Sequence, residues 1–142
     1  MSMTAASGRE QIRSGLRLIL AVLMVGAGIL HFTAEPFFTQ IVPPQLPEPR
    51  LLVWISGIFE VLLGVALLPR GTRRFAGYGL IALFIAVVPA NIYMAAANVQ
   101  IQGMPDWFKQ PSQSTLWLRL PLQLVFIAWA WWVSRQTRVQ AR

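Results

Sequence analysis

The sequence predicts an all-α polytopic membrane protein, a four-transmembrane-helix bundle with N- and C-termini cytoplasmic and structured outer loops. Hydrophobic residues fill 56% of the 142 positions and charged residues only 12%, whereas a soluble domain carries about 25% charge. The apolar residues arrive in four blocks, each near the roughly 20 residues that a helix needs to cross a ~30 Å hydrocarbon core. Basic residues gather where those blocks end. The net charge of +7 therefore reads as a topology signal and gives no ground for a nucleic-acid partner, because the Lys and Arg residues neither interleave with aromatics nor line one helix face. With no cysteine and one histidine, disulfides, iron–sulfur clusters, dithiol chemistry and a zinc site are excluded, so no metal is expected.

The chain reads as one domain over residues 1–142, with helices at about 16–32, 51–68, 75–97 and 116–133. Before the first helix, Arg9, Arg13 and Arg17 precede an apolar run in the manner of a signal peptide. The exit Phe32-Thr33-Ala34-Glu35 offers no small-x-small cleavage site, so the run is expected to stay as an uncleaved span. Nine basic residues sit at the N-terminus, in the Arg70 to Arg74 turn and at Arg135, Arg138 and Arg142. Only Arg50, Lys109 and Arg119 fall in the other two connections and their helix ends. The positive-inside rule then places both termini in the cytoplasm. Trp54 and Trp117 agree as outer-interface residues, and Trp129, Trp131 and Trp132 as inner ones.

The outer connections are more than linkers. Between Thr33 and Arg50, Pro36, Pro43, Pro44, Pro47 and Pro49 forbid a continuous helix. Phe37, Phe38, Ile41 and Val42 in the same stretch require burial, so a segment folded back onto the helix ends is expected. A second cluster, Met104, Trp107 and Phe108, marks the loop from Asn98 to Thr115. The turn from Pro69 to Arg74 is short.

Five polar residues within or beside the apolar blocks are the candidate ligand-binding set: His31, Glu60, Asn91, Arg119 and Gln123. Glu60 lies near the midplane of the second helix, where an acid costs roughly 2.5 to 3.5 kcal/mol on insertion scales and marks either interhelical glue or a function. It is expected to be protonated at rest. Gly57, Glu60 and Gly64 form a stripe that admits a neighbouring helix, and Ala21, Met24, Gly28 and His31 form a comparable face on the first helix. Pro89-Ala90-Asn91 interrupts the third block, which predicts a kink with an amide beside it. Arg119, Gln123, Ala130 and Ser134 share a stripe of the fourth helix, with Pro121 read as lying in its first turn. Arg119 is the candidate counter-charge for Glu60, but it sits about 9 Å higher at 1.5 Å per residue, and snorkelling outward is its cheaper course. The five residues together describe a pocket open to the outside, with Phe84 and Phe126 closing its floor.

At these residues the chain resembles the DoxX-like family of small bacterial membrane proteins, over roughly Leu16 to Val133. The matching pieces are Gly28 with His31-Phe32, Pro36-Phe37, Val42-Pro43-Pro44 with Leu46-Pro47, Ser56-Gly57 with Glu60 and Gly64, and Pro89-Ala90-Asn91. The resemblance implies a multi-pass bundle of the bacterial inner (plasma) membrane, linked to redox or oxidative-stress complexes. Bundles of this type that act on thiols carry cysteine pairs, which this chain lacks. The expected function is an accessory subunit with a redox partner protein, holding a quinone headgroup or another small molecule in the outward pocket. No cofactor motif is present, so the chain is not expected to be an enzyme on its own. The competing readings are a non-enzymatic membrane assembly or interaction protein and, less favoured, a small acid-coupled transporter. Apart from the lipid bilayer, the Gly and Ala stripes are compatible with a homodimer as a further partner.

Overall fold

The computed structural model describes residues 2–103, 105 and 110–135, with side chains from residue 8 onward. All regular structure among them is helical: α1 (Ser2–Thr33), α2 (Glu35–Phe38), a 3-10 turn (Thr39–Ile41), α3 (Pro49–Ala66), α4 (Arg73–Ala86), α5 (Val88–Ala96) and α6 (Gln113–Ser134). Four stretches are long and apolar enough to span a membrane: Gly8–Thr33, Pro49–Ala66, Arg73–Ala96 and Gln113–Ser134. Met104, Trp107, Phe108, Lys109, Arg138 and Arg142 lie outside the described residues.

The first helix starts well before the expected residue 16. It runs 32 residues, about 48 Å, because its polar lead-in is itself helix-forming and Glu10 pairs with Arg13 at i+3, 3.4 Å apart. At the other end Ala34 closes the helix, and Pro36 starts α2 near its N-terminus, where a missing N–H is tolerated. Glu48 adopts φ 48° in the left-handed region, and Pro49 then opens α3.

The third block is two helices, not one. The ring of Pro89 supplies no N–H to Ile85, and the chain breaks at Val87 before α5 resumes. Asn98, at φ 46°, ends α5 while the Val99 N–H returns to Met94 O at 3.0 Å, a left-handed helix stop. The placement of Pro121 in the first turn of the last helix is corrected: α6 begins at Gln113, capped by Ser112, and Pro121 lies inside it. The carbonyl of Trp117 thereby loses its regular donor.

Around the bundle α1 packs beside α3 and α6, α4 packs beside α3 and α6, and α3 lies diagonally across from α6. One core cluster, including Leu20, Leu63, Leu67, Leu80, Ala130 and Val133, fills the arginine-rich half. A smaller one, Met94, Ala95 and Leu116, lies under the two loops at the opposite end, with Ile41, Val99 and Ile101 packed on it. The Pro-rich segment is thus seated on the helix ends, with Phe37, Phe38, Ile41 and Val42 half-buried there rather than fully enclosed. Gln40 clamps it to the second loop, accepting from Gln102 N–H at 2.7 Å and donating to Gln102 O at 3.2 Å. Outward faces are strongly apolar, with Val22, Leu62, Phe75 and Leu124 exposed, the pattern of helices solvated by hydrocarbon.

Candidate functional site

Close approach of α1 and α3 creates the site. A Cβ at Gly28 would lie 2.6 Å from Gly57 O, and one at Gly57 would lie 2.7 Å from His31 Cβ. Only glycine at both positions lets the backbones meet there, as the small-residue faces predict. The last turn of α1 consequently projects His31 over α3, with Nδ1 3.1 Å from Glu60 Oε2. Both side chains are mostly buried, at 13% and 12% exposure.

His31 Nδ1 is also 2.8 Å from Ala27 O, one turn back on its own helix. A single Nδ1–H aimed at that carbonyl cannot also serve the carboxylate. Glu60 Oε2 is accordingly buried without a hydrogen bond. The hydroxyl of Ser56, four residues earlier on α3 and so on the same face, is likewise buried and unbonded. Above them the Phe38 ring stacks on the imidazole, centroids 4.2 Å apart at 23°. Arg50 holds the segment that carries Phe38 by pairing with Glu35 at 2.9 Å, while its guanidinium lies over Trp54. The result is an acid–imidazole couple with two unsatisfied oxygens under an aromatic lid. Such a group can accept from or donate to a small polar ligand and can hold a proton on either partner.

Asn91 and Gln123 form a separate centre. Asn91 Nδ2 donates to Gln123 Oε1 at 2.5 Å, and Gln123 Nε2 donates to Phe84 O. Phe84 is in the last turn of α4, beside Ile85, whose carbonyl is denied the Pro89 donor. The two amides therefore staple the kink to α6. Arg119 is exposed and makes no ion pair among the described residues, consistent with a side chain that reaches outward. The expected five-residue pocket thus divides: His31 meets Glu60, Asn91 meets Gln123, and Arg119 joins neither. Phe84 and Phe126 do pack together, centroids 5.8 Å apart.

Ser56 and Phe38 were not among the sequence candidates. The i,i+4 spacing of Ser56 to Glu60 was the available signal; the position of Phe38 depends on a turn that the sequence does not specify. Arg17 and Arg73 also emerge as more than topology markers, buried to 3% and 8% exposure. A basic residue between Leu16 and Leu18, inside the apolar run, was the hint.

A family model matches residues 20–134, which takes in every side chain of the His31–Glu60 site. The chain belongs to the family described as a domain of unknown function, DUF8561. No curated protein and no solved structure matches it. In this DUF8561 chain the matched region begins at Leu20 and ends at Ser134, so the glycine contact of α1 with α3, the kink and the amide staple all lie within it.

Proposed function

We propose that this DUF8561 protein is a multi-pass protein of the bacterial inner membrane that binds a quinone headgroup, or a small molecule of similar polarity, at His31, Glu60 and Ser56, and works as the accessory subunit of a redox complex. The observation that carries this reading is the pair of buried, unbonded oxygens on Ser56 and Glu60 beside an imidazole. Buried polar groups are normally satisfied, and leaving one without a partner costs about 1 to 3 kcal/mol. A ligand hydroxyl can donate to the Glu60 carboxyl oxygen, and a ligand carbonyl or hydroxyl can accept from the Ser56 hydroxyl. The DoxX-like resemblance, which assigns such bundles to redox assemblies, supports the same reading. Electrons come from the partner protein, since the chain carries no redox-active motif.

Mass spectrometry of lipid extracts from protein purified out of native membranes tests the proposal. Quinone is expected at near-stoichiometric amounts in the wild type, reduced in Glu60→Gln, which puts a neutral amide in place of the carboxyl, and lost in Glu60→Leu. Equal quinone content in the wild type and Glu60→Leu, or none in the wild type, sinks it. A stoichiometric protein without quinone would instead favour an assembly factor whose contact is the exposed Pro44 to Glu48 stretch.

A further inference from the structure

At the arginine-rich end of the bundle, remote from His31 and Glu60, α1 and the α3–α4 turn enclose an open cleft of 440 Å³. Its polar wall is Gln11, Ser14, Arg17 and Arg73, and its apolar edge is Leu18 and Leu68. Arg17 Nε donates to Val133 O at 3.0 Å, and Arg73 donates to Leu68 O at 2.8 Å and to Leu67 O at 3.4 Å. Backbone carbonyls fix these guanidinium groups in place without neutralising them. The acid described beside them is Glu10, 41% exposed and 3.4 Å from Arg17. Among the described lining residues, two guanidinium groups, Arg17 and Arg73, stand against that one half-exposed acid. An arginine carries five N–H donors in a fork suited to phosphate, and the bonds just described use only part of them.

Leu18 and Leu68 also begin a second hollow, an almost wholly apolar groove of 320 Å³ between α1 and α3. It follows α1 from Leu18 to Ile29, about 16 Å at 1.5 Å per residue. That is close to half of the ~30 Å hydrocarbon core, the depth of one leaflet. A phosphate-sized basic cleft that opens into an apolar groove one leaflet deep matches a single class of molecule. We infer that this face binds one anionic phospholipid, its phosphate held by Arg17 and Arg73 and one acyl chain lying in the α1–α3 groove. A basic pocket between transmembrane helices is a recognised setting for anionic headgroups. The charge of the cleft selects the headgroup, and the groove separates a lipid from a soluble anion.

The test uses two glycines that leave the arginines untouched. Gly15 lines the cleft and Gly26 the groove, and a Cβ at either meets nothing within 4 Å. Gly15→Glu and Gly26→Phe should therefore both fold, which a thermal melt in detergent verifies. Native mass spectrometry of the full chain would measure retention of phosphatidylglycerol and phosphatidylcholine with identical acyl chains. The wild type is expected to retain one phosphatidylglycerol in preference to phosphatidylcholine. Gly15→Glu should weaken phosphatidylglycerol about fivefold, the effect of roughly one surface charge, and leave phosphatidylcholine unchanged, while Gly26→Phe should weaken both. Equal retention of the two lipids by the wild type, or a Gly15→Glu variant that binds phosphatidylglycerol as before, would overturn the inference. Full displacement of phosphatidylglycerol by equimolar inorganic phosphate would do so too, by showing a soluble-anion site.

Discussion

Ser56 and Glu60 occupy successive turns of one face of α3, and each buries an oxygen that no hydrogen bond reaches. The two atoms bear differently on stability. Glu60 keeps its contact with His31 at 3.1 Å, whereas the Ser56 hydroxyl contributes only a desolvation cost. Removing an orphaned buried hydroxyl relieves that cost. Ser56→Ala is therefore expected to leave the thermal midpoint in detergent unchanged or slightly raised while reducing bound ligand several-fold. A clear drop in the midpoint would show that the hydroxyl is bonded in the folded protein and that the site contains one orphan fewer. His31 is a poorer probe, because its loss also removes the contacts to Ala27 and Phe38. At this scale the sequence was informative where a residue type is costly at its depth, as for Glu60. It offered only the i,i+4 spacing for Ser56, a weak signal because a serine in a transmembrane helix usually satisfies itself on its own backbone.

Among the elements, the close-packing faces of α1 and α3 were legible because glycine spacing and helical period make one statement, while their pairing with each other was not. Gly28, Gly57 and Gly64 each face atoms of the opposing helix that an added Cβ would strike. Gly26 is two residues from Gly28 yet looks into open space. This contrast makes a prediction. Gly28→Val drives a branched side chain against Gly57 O, a backbone atom that cannot rotate away, and should destabilise the protein by about 1 to 3 kcal/mol. It should also separate His31 from Glu60 and lower ligand retention. Gly26→Ala should be neutral or stabilising by at most about 1 kcal/mol, the helix-propensity gain over glycine. Equal melting behaviour of the two variants in detergent would refute the proposed packing. A kink ahead of Pro89 was legible as well, since proline enforces it, but not that it divides the block into two helices. The staple from Gln123 to Phe84 O was not, because pairing across helices requires their relative rotation, which the α6 stripe leaves undefined. Pro121 misled for a related reason: the start of α6 depends on the Ser112 cap, four residues ahead of the apolar block that marks the span.

For the whole molecule, two buried arginines show how the ends are sorted. Arg17 on α1 bonds to Val133 at the close of α6, and Arg73 at the start of α4 caps the carbonyls that follow α3. The amino-terminal part of α1, the Arg70 to Arg74 turn and the end of α6 therefore share one end of the bundle, while the Pro-rich segment and the loop after α5 meet at the other through Gln40 and Gln102. Charge counting along the sequence assigned the same groups to the same sides without any contact information, because hydrophobic blocks of spanning length force the chain to alternate. The membrane field supplies the remaining step. Lys and Arg near the helix ends resist translocation, so the end that gathers Arg9, Arg13, Arg17, Arg70, Arg73, Arg74 and Arg135 is expected to face the cytoplasm. A reporter active only in the cytoplasm, fused after Arg142, should give signal, and a reporter active only outside should give signal when inserted at Pro44. Reversed signals would place the arginine-rich cleft on the outer side and the His31–Glu60 site on the inner one. The quinone reading would then need a cytoplasmic electron donor, and the anionic lipid would have to come from the outer leaflet.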